Sequence, residues 1–324
     1  MKILVTGGVG FIGSHLCERL IQKGHQVWAL DNLDDFYPQQ FKEYNLQILN
    51  RCGKAFNFVK VDILEFEALR QLCQQIQFDV IVHLAAKAGV RPSLKKPAVY
   101  QRINVEGTAN VLEAARLTGV RKFIFASSSS VYGIGSRIPF SESEPVRTPA
   151  SPYAASKIAG EALAHTYHHL YGLDVIVLRY FTVYGPRQRP DLAIHKFARL
   201  IWTGKPIPVY GDPGKSARDY TFIDDIINGT IACMERLTGY HILNLGRSDM
   251  ITIEHLVRLL EQALERPAKI DYLPPQLGDL SVTCADISRA RSLIGYNPTV
   301  SIETGIVRFA EWFKTDGVML WENP

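Results

Sequence analysis

The chain has 324 residues, of which 47% are hydrophobic, and a formal net charge of +4. That length is enough for a large buried core, in one large domain or two closely associated ones. The small net charge and the lack of lysine or arginine runs argue against nucleic acid as a partner and are compatible with an anionic small molecule. No apolar run reaches membrane-spanning length and the first residues enter a strand directly, so we expect no signal peptide, no membrane partner and a cytoplasmic protein.

A glycine-rich segment, Thr6-Gly7-Gly8-Val9-Gly10-Phe11-Ile12-Gly13, follows a first predicted strand, and apolar residues then recur at helical spacing up to Gly24. Strand, glycine turn and helix in this order are typical of a dinucleotide-binding loop. Gly7 would permit the turn, Gly10 would let the backbone approach a pyrophosphate, and Gly13 would let the helix pack close to the strand. The helix N-terminus would then face the phosphates. The alternative is a glycine-rich turn that binds no ligand.

A second predicted strand, residues 26–30, ends at Asp31. An acid at this position can accept both ribose hydroxyls of an adenosine and would repel a 2′-phosphate. The residues that follow add further acids and no arginine. The pattern therefore favours NAD over NADP, the alternative being an acidic turn exposed to solvent.

Strands and helices continue to alternate, with predicted strands at residues 56–61, 79–84, 121–126 and 175–178 and helices at 65–75 and from Pro97 to about 118. This alternation predicts an α/β fold, a doubly wound parallel sheet of the Rossmann type. His83 lies inside an apolar strand and is expected to be a hydrogen-bonded core histidine. Asn104 interrupts an apolar helix pattern, so we expect a backbone partner for it near the next strand of the site.

The strand at residues 121–126 ends in four serines, at the carboxyl edge where parallel sheets bind ligands. A proline-rich loop follows, and Tyr153 and Lys157 then open a helix with the i, i+4 spacing that places both on one face. A lysine ammonium beside a phenol stabilises the phenolate, so this tyrosine can act as a base near neutral pH. A serine run alone is more often a flexible polar turn, and a YxxxK motif alone is common by chance. In combination with the glycine loop, the two motifs predict a catalytic site.

After residue 178 the alternation breaks, and we expect a smaller α/β substrate-binding domain that is interleaved with the first. Helices are predicted at residues 193–203, 253–264, 287–294 and 302–313, with a short strand at 208–210, and residues 242–245 can return to the main sheet. The five cysteines are scattered without CxxC spacing, which predicts neither a disulfide framework nor a metal site.

TGGxGFIG together with Tyr153-x-x-x-Lys157 resembles the extended short-chain dehydrogenase/reductases, and in particular the NAD-dependent nucleotide-sugar epimerases and dehydratases, over nearly the whole length. The resemblance implies an NAD-binding domain at residues 1–178 plus about 221–250, and a UDP-sugar-binding domain at 179–220 and 251–324. It also implies that Tyr153 is the base, that Lys157 is its partner and a ligand of the nicotinamide ribose, and that Ser128 and Ser130 hold the 4-hydroxyl of the sugar.

Further contacts follow from the same resemblance. Those implied for the cofactor are Gly7, Gly10, Phe11, Ile12, Gly13, Asp31, Asn32, Asp62, Ile63, Leu84, Ala85, Ala86, Asn104, Ser127, Tyr153, Lys157, Tyr180 and Val183. Those implied for the substrate are Lys87, Arg91, Ser128, Ser129, Ser130, Thr182, Arg187, Arg189, Val209, Arg218 and Asp279.

The serine run distinguishes reaction types within that family. The dehydratases carry an Asp-Glu pair, and the UDP-glucuronate decarboxylases a glutamate, just before the Val-Tyr-Gly that follows the strand. Here Ser129 and Ser130 occupy those positions. Because the groups for elimination are missing, the resemblance leaves oxidation and re-reduction at C4, which is epimerisation.

The segment from Arg179 to Ala193 is similar to that of UDP-glucuronate 4-epimerases, as is the segment Ala88-Gly89-Val90-Arg91. A sugar carboxylate requires a charge-assisted donor, for which an arginine fork is well suited. Arg189 is our first candidate, with the other arginines of these segments in reserve, while the alternative is that they form salt bridges or bind diphosphate only. Thr182 departs from the asparagine common in UDP-galactose epimerases, and Lys87 departs from the neutral residue usual before Ala-Gly-Val-Arg.

The resemblance therefore implies a UDP-glucuronate 4-epimerase that retains NAD. A UDP-glucose or UDP-N-acetylglucosamine 4-epimerase and a catalytically idle NAD-binding scaffold stay open as alternatives. It also implies a homodimer formed through the helices at residues 97–118 and 153–170.

Overall fold

The structure is a computed structural model that describes residues 1–276, 278 and 280–322 of the chain. Its strands are β1 (Lys2–Thr6), β2 (Gln26–Asp31), β3 (Phe56–Lys60), β4 (Val80–His83), β5 (Lys122–Ser128), β6 (Asp174–Tyr180), β7 (Thr182–Tyr184), β8 (Ile207–Tyr210), β9 (Ala217–Arg218), β10 (Tyr220–Phe222), β11 (Tyr240–Leu245), β12 (Ile251–Thr252) and β13 (Ile270–Leu273).

The α-helices are α1 (Phe11–Gln22), α2 (Gln40–Asn50), α3 (Phe66–Ile76), α4 (Val90–Lys95), α5 (Pro97–Gln101), α6 (Gly107–Leu117), α7 (Pro152–Tyr171), α8 (Ala193–Trp202), α9 (Ile223–Arg236), α10 (Ile253–Leu264), α11 (Ser288–Ile294), α12 (Ile302–Trp312) and α13 (Val318–Glu322). Short 3₁₀ turns cover Gly53–Ala55 and Ser129–Tyr132, and π-helical turns cover Arg102–Glu106 and Phe313–Gly317.

In the described part of the chain, seven parallel strands form the main sheet in the order β11-β6-β5-β4-β1-β2-β3. The order reverses between β1 and β4, which is the position where doubly wound sheets bind ligands. The predicted Rossmann-type sheet is confirmed, including the return of β11 to its edge. The central strands, such as β4 and β6, are near-continuous apolar runs, and they are buried on both faces of the sheet.

The remaining strands pair in twos beyond the carboxyl edge of the main sheet. They form a β7–β10 pair, a β8–β13 pair and an antiparallel β9–β12 pair. Because β7 starts two residues after β6 ends, this second group of strands begins directly above the edge where the serines lie.

Helices α2 and α9 were not predicted, although the buried isoleucines of α9 recur at helical spacing; on α2, polar residues break the apolar period of the buried face. Lys42 and Asn45 are buried on α2, and Asp225 and Thr230 are buried on α9. The long helix predicted from Pro97 is observed as α5 and α6 joined by a π-helical turn that contains Asn104. An extra residue in a helical turn leaves the apolar pattern nearly unchanged, so the sequence does not reveal it.

His83 is a hydrogen-bonded core histidine, as predicted. Its ring nitrogens contact the hydroxyls of Thr6 at 2.7 Å and Thr108 at 3.1 Å, and the side chain is 1% exposed. Burial, with the Lys157 charge as a second cause, lowers the pKa of His83 to about 3. Burial also lowers the pKa of His195, whose ring lies among aromatic side chains, to about 4. Among the described residues no helix is both long and apolar enough to cross a bilayer.

Acid should therefore destabilise the fold before the carboxylates titrate. An unfolded histidine binds a proton near pH 6.5, whereas His83 and His195 stay neutral when folded down to about pH 3 and 4. The free energy of unfolding should fall as the pH drops from 6.5 toward 4, by up to about 1.4 kcal/mol per pH unit for each of the two. Urea unfolding at pH 7, 6 and 5 measures this slope.

The His83→Gln variant should show a shallower slope, and the exposed His169→Gln should keep the wild-type slope. A His83→Gln slope equal to that of the wild type would show that the buried imidazole is not a source of acid sensitivity.

Candidate active site

A cavity of about 440 Å³ lies at the carboxyl edge of the main sheet, under the second group of strands. The predicted site residues that line it are Gly7, Gly10, Phe11, Ile12, Gly13, Asp31, Asn32, Asp62, Ile63, Leu84, Ala85, Ala86, Lys87, Ser127, Ser128, Ser129, Ser130, Tyr153, Lys157, Tyr180, Thr182, Val183, Arg189 and Arg218. Residues assigned separately to a dinucleotide and to a sugar therefore share one continuous space.

The glycine loop has the geometry that a pyrophosphate requires. Gly7 has φ +68°, and a Cβ there would lie 2.9 Å from the backbone nitrogen of Ala85. A Cβ at Gly13 would lie 2.1 Å from the carbonyl oxygen of Gly7, so glycine is what lets α1 approach the loop. The N-cap of α1, Gly10, makes no side-chain capping hydrogen bond, and the first turn of the helix has no acid. An uncapped helix N-terminus that opens into a cavity fits an anionic diphosphate.

At the end of β2, Asp31 is buried and ion-paired with Lys42 of α2. Its Oδ1 accepts hydrogen bonds from Lys42 Nζ at 3.1 Å and from the Leu33 amide at 2.9 Å. Within the described residues, Oδ2 remains available to a ribose hydroxyl. Asn32 donates to Asp62 at 2.8 Å and so ties the ends of β2 and β3 together. Lys42 was missed because it lies on the unpredicted helix α2, and nothing in its spacing marks it.

The serines form a polar edge opposite α7. Ser128 Oγ accepts a hydrogen bond from the Ser130 amide at 3.2 Å. The Oγ of Ser130 is buried and has no hydrogen-bond partner in the described part of the chain. A buried hydroxyl without a partner is costly, so its place on the cavity wall marks it as a group that can bind a ligand.

Tyr153 and Lys157 lie on one face of α7, which begins at Pro152 and is capped by the Ser151 hydroxyl accepting from the Ala154 amide at 3.1 Å. Lys157 is 4% exposed, and its Nζ donates to the carbonyl oxygen of Ala126, the residue before the serines, at 2.7 Å. The same ammonium lies 5.1 Å from the centre of the Phe125 ring. The base candidate and the strand end are thereby held together.

The electrostatics of this pair differ from the expectation that the lysine lowers the pKa of the tyrosine. Burial raises the pKa of the Tyr153 phenol, and the groups that oppose this are the Ser128 hydroxyl and the Arg189 guanidinium. Burial also lowers the pKa of the Lys157 ammonium to about 8, against the pull of the Glu161 carboxylate. The Lys157 ammonium is directed at the backbone of β5, which explains the difference.

Asn104 corrects a prediction. It does not line the cavity among the described residues, but binds the backbone of Lys87, accepting from its amide at 2.8 Å and donating to its carbonyl at 2.9 Å. It also donates to Ser156 Oγ at 2.9 Å. The backbone partner was predicted, but it follows β4 rather than the next strand. Asn104 thus shapes the segment after β4, which lines the cavity.

The candidate arginines differ in position. Arg189 lines the cavity, forms a two-pronged ion pair with Asp191 at 3.0 and 2.6 Å, and lies 5.0 Å from the centre of the Phe36 ring. Arg187 instead contacts His15 and, at 2.8 Å, Glu18 of α1. Arg91 lies 4.5 Å from the centre of the Tyr210 ring. Neither of these two is among the described residues that line the cavity. Arg187 therefore lies against the glycine-loop helix and not at the described wall of the cavity.

Three other predicted contacts have different outcomes. Val209 is 2% exposed in the core of the second group of strands and is not among the described lining residues. Arg218 does line the cavity and donates to the carbonyls of Ala217 and Ser281 at 3.0 and 2.8 Å. Asp279 lies outside the described residues.

Lys87 also lines the cavity, and its extra charge is neutralised there. Its Nζ pairs with the Asp34 carboxylate and lies 5.0 Å from the centre of the Phe36 ring. Phe36 thus lies against two cations, Lys87 and Arg189, and Tyr37 lies 5.8 Å from the latter. These two aromatic lining residues were not predicted, and their sequence context gives no signal for them.

The chain is similar to known proteins over nearly its full length. The sequence profile described as "NAD dependent epimerase/dehydratase family" matches residues 3–246. A UDP-glucuronate 4-epimerase from Thermodesulfobacterium geofontis is 46% identical, covering 96% of this chain and 95% of that protein.

Two solved structures share the fold. The crystal structure of a UDP-glucuronic acid 4-epimerase from Bacillus cereus, in complex with UDP-glucuronic acid and NAD, has a TM-score of 0.91 at 39% identity and covers 97% of this chain and 99% of that one. A UDP-glucose 4-epimerase from Thermotoga maritima, with UDP-glucose, has a TM-score of 0.89 at 31% identity and covers 98% of this chain and 99% of that one.

The glycine-loop geometry yields a test by substitution. Gly13→Ala would place a methyl group against the Gly7 carbonyl, so α1 must move away from the loop and dinucleotide binding should be lost. The measurement is NAD content after purification and the affinity for added NAD. Gly24→Ala, at the other end of α1, strains a backbone with φ +84° but meets no atom within 4 Å, so it is the matched control and should retain NAD. Equal NAD content in the two variants would contradict this account of the loop.

Proposed function

We infer the function from the fact that the chain belongs to the NAD-dependent epimerase/dehydratase family. The chain interconverts UDP-glucuronate and UDP-galacturonate by transient oxidation at C4 of the sugar. The observation that carries this proposal is the meeting in one cavity of Tyr153, Lys157, the neutral serine edge and Arg189. An acid–base pair for redox chemistry and a cation for a carboxylate are then within reach of one ligand.

The residues fit NAD as the retained cofactor. The uncapped N-terminus of α1 receives the diphosphate, Asp31 Oδ2 the adenosine ribose, and the small residues after β4 the flat rings. When bound there, NAD supplies an acceptor and donor of hydride. Release during turnover is not needed, because the same hydride is returned.

The proton at C4 is handled by protein groups. Tyr153 removes the proton of the 4-hydroxyl, and Ser128 and Ser130 hold that oxygen in place, the unpartnered Ser130 hydroxyl gaining its hydrogen bond from the substrate. After the 4-keto sugar has turned its other face, Tyr153 returns the proton. The neutral Ser129 and Ser130 supply no acid or base for elimination, so the sequence of steps stops at inversion.

The carboxylate of the sugar is assigned to Arg189. Its Nε and Nη2 are held by Asp191, and the aromatic rings of Phe36 and Tyr37 fix its plane, which leaves Nη1 to donate to the substrate. A 4-keto uronate is a β-keto acid and can lose carbon dioxide. An arginine held in this way keeps the carboxylate in an orientation that disfavours breaking that bond.

The assignment of substrate separates this proposal from the activity of the similar UDP-glucose 4-epimerase. Arg189 already has Asp191 as its counter-charge, but its remaining donor makes a charge-assisted hydrogen bond with a uronate carboxylate and only a weaker one with the hydroxyl of a neutral hexose. The experiment incubates the purified protein, without added NAD, with UDP-glucuronate, UDP-glucose and UDP-N-acetylglucosamine in parallel, and resolves the products. Conversion of UDP-glucuronate to UDP-galacturonate is expected. Faster conversion of either neutral sugar would reject the substrate assignment, and no product from any sugar would reject the activity.

We also propose the division into domains, the oligomeric state and the cellular location. Residues 1–178 plus about 221–250 form the NAD-binding part, and 179–220 with 251–324 form the UDP-sugar part. This division is supported by the pairing of β11 with β6 and by the packing of α9 against α1 and β6. A homodimer through α5, α6 and α7 is supported by exposed apolar side chains there, Val99 at 40% and Leu170 at 59%. Five free cysteines are consistent with a reducing cytoplasm.

Tyr153→Phe should abolish turnover while NAD remains bound. The oxygen of the ionised phenol is the base, and the ring alone preserves the packing against Tyr100, whose ring centre lies 6.2 Å away. The measurements are the rate of UDP-glucuronate conversion and the NAD content of the purified variant. Substantial remaining activity would remove Tyr153 from the role of base.

Arg189→Ala should reduce kcat/KM for UDP-glucuronate more than for UDP-glucose, by a factor of about 10 to 100, because a charge-assisted hydrogen bond is worth roughly 1.5–3 kcal/mol. Arg189→Lys keeps the charge but not the two-pronged contact with Asp191, so an intermediate loss is expected. Equal losses for the acidic and the neutral sugar would show that Arg189 does not bind the carboxylate.

A further inference from the structure

A buried ion pair lies directly behind the catalytic face of α7. Glu161 is 5% exposed and Arg179 is 2% exposed. Nε and Nη2 of Arg179 donate to the two oxygens of Glu161 at 3.0 and 2.8 Å. Neither side chain is among the described residues that line the cavity. Burying two charges is costly even when they are paired, so the pair stabilises the fold little and its position calls for another reason.

The pair is connected to the site through two neighbouring residues of β5. Lys157 donates to the carbonyl of Ala126 at 2.7 Å, and Glu161, one helical turn later, accepts a hydrogen bond from the Ser127 hydroxyl. Tyr153, one turn earlier, lies beside Ser128. Three residues on one face of α7, at i, i+4 and i+8, therefore each contact one of three consecutive residues at the end of β5. Arg179 is the register partner of Ser127 in the next strand, β6.

We propose that Glu161, held by Arg179, is a positioning residue for the reaction: it fixes Ser127 against α7 and provides the counter-charge that keeps Lys157 an ammonium. This inference rests on the proposed function for its catalytic consequence, but its electrostatic part concerns the protein alone. Arg179 prevents the carboxylate from turning away, because both of its oxygens are bound to one guanidinium.

The charged and titratable groups around Lys157 support this reading. On its own helix Tyr153 lies one turn earlier and Glu161, ion-paired with Arg179, one turn later. From β4, Lys157 faces His83, which burial keeps neutral with a pKa of about 3. From β5 it meets the Phe125 ring and the Ala126 carbonyl. Glu161 supplies the negative charge in this set.

Two tyrosines flank the ion pair among the described residues. From the 3₁₀ turn after β5, the Tyr132 ring lies 4.8 Å from the Arg179 guanidinium, and Tyr240 of β11 faces both members of the pair. Burial raises the pKa of each of these phenols to about 12, so both stay neutral. Neither phenol therefore supplies a negative charge in place of Glu161 when it is removed.

Glu161→Gln keeps the shape and the acceptor oxygen but removes the charge. Burial already lowers the pKa of Lys157 to about 8, and loss of the opposing carboxylate should lower it further, by about one pH unit. Lys157 would then lose its proton within the working range, and the alkaline limb of the kcat profile should move to lower pH by a similar amount.

The test is a titration of the full-length protein labelled with [ε-¹³C]lysine and followed by NMR at matched NAD content. The Lys157 resonance is assigned by its absence in Lys157→Met. The Lys157 signal is expected to titrate at lower pH in Glu161→Gln than in the wild type. Because Arg179 is then a buried unpaired charge, the double variant Glu161→Gln/Arg179→Met is measured as well, and a smaller shift in the same direction is expected, since a cation is removed together with the carboxylate.

Glu113→Gln is the matched control. Glu113 forms an ion pair with Arg116 on α6 and accepts from Tyr167 of α7 at 3.0 Å, so its removal perturbs the same helix without touching the site. Lys157 should titrate in it as in the wild type. A Lys157 titration unchanged in the double variant, or shifted equally in Glu113→Gln, would overturn the inference. Failure of the wild type to convert UDP-glucuronate would instead reject the proposed function and leave the titration result intact.

Discussion

The hydrogen bond between Lys157 Nζ and the carbonyl of Ala126 ties α7, which carries the proposed base Tyr153, to the strand that carries the serines. A helix packed on a sheet can slide or rotate unless a directional contact fixes it, and apolar packing is not directional. At 2.7 Å and 4% exposure, this charge-assisted contact, together with the hydrogen bond between Ser127 and Glu161, fixes α7 against β5. The positions of Tyr153, Ser128 and Ser130 relative to one another depend on it.

Around that contact, four ion pairs lie at the cavity or next to its wall. Asp31–Lys42 and Glu161–Arg179 are buried, whereas Lys87–Asp34 and Arg189–Asp191 are partly exposed. Three of them join separate elements or segments, and Arg189–Asp191 fixes a side chain within one loop. Ion pairs add little net stability, whether buried or exposed, so we attribute these pairs to the placement of side chains around the cavity and not to the stability of the fold.

Much of the fold could be predicted from the sequence because its signals are local. The glycine loop, the apolar strands and the Tyr153-x-x-x-Lys157 spacing each depend on residues close together in the chain, and the sheet order follows from the alternation of elements. The Ser128–Ser130 edge could be predicted because carboxyl ends of parallel strands meet at one edge. These residues line the cavity in the structure.

The remaining features depend on contacts between distant segments. Arg187 and Arg189 are two residues apart and chemically alike, yet one turns to α1 and the other to the cavity, which the positive φ of Arg187 at +62° reflects. Lys42 reaches Asp31 from a helix whose apolar pattern is broken, and Asn104 acts from a π-helical turn that the pattern conceals. Sequence spacing gives the type of side chain at such places but not its direction.

The central claim is that one hydride leaves C4 and returns to it within a single protein. The direct measurement uses UDP-glucuronate deuterated at C4, incubated with the purified protein without added NAD, with NMR and mass analysis of the product. The account predicts UDP-galacturonate that keeps its deuterium at C4, because the hydride neither leaves the cavity nor exchanges with water. Product with protium at C4 would contradict the account.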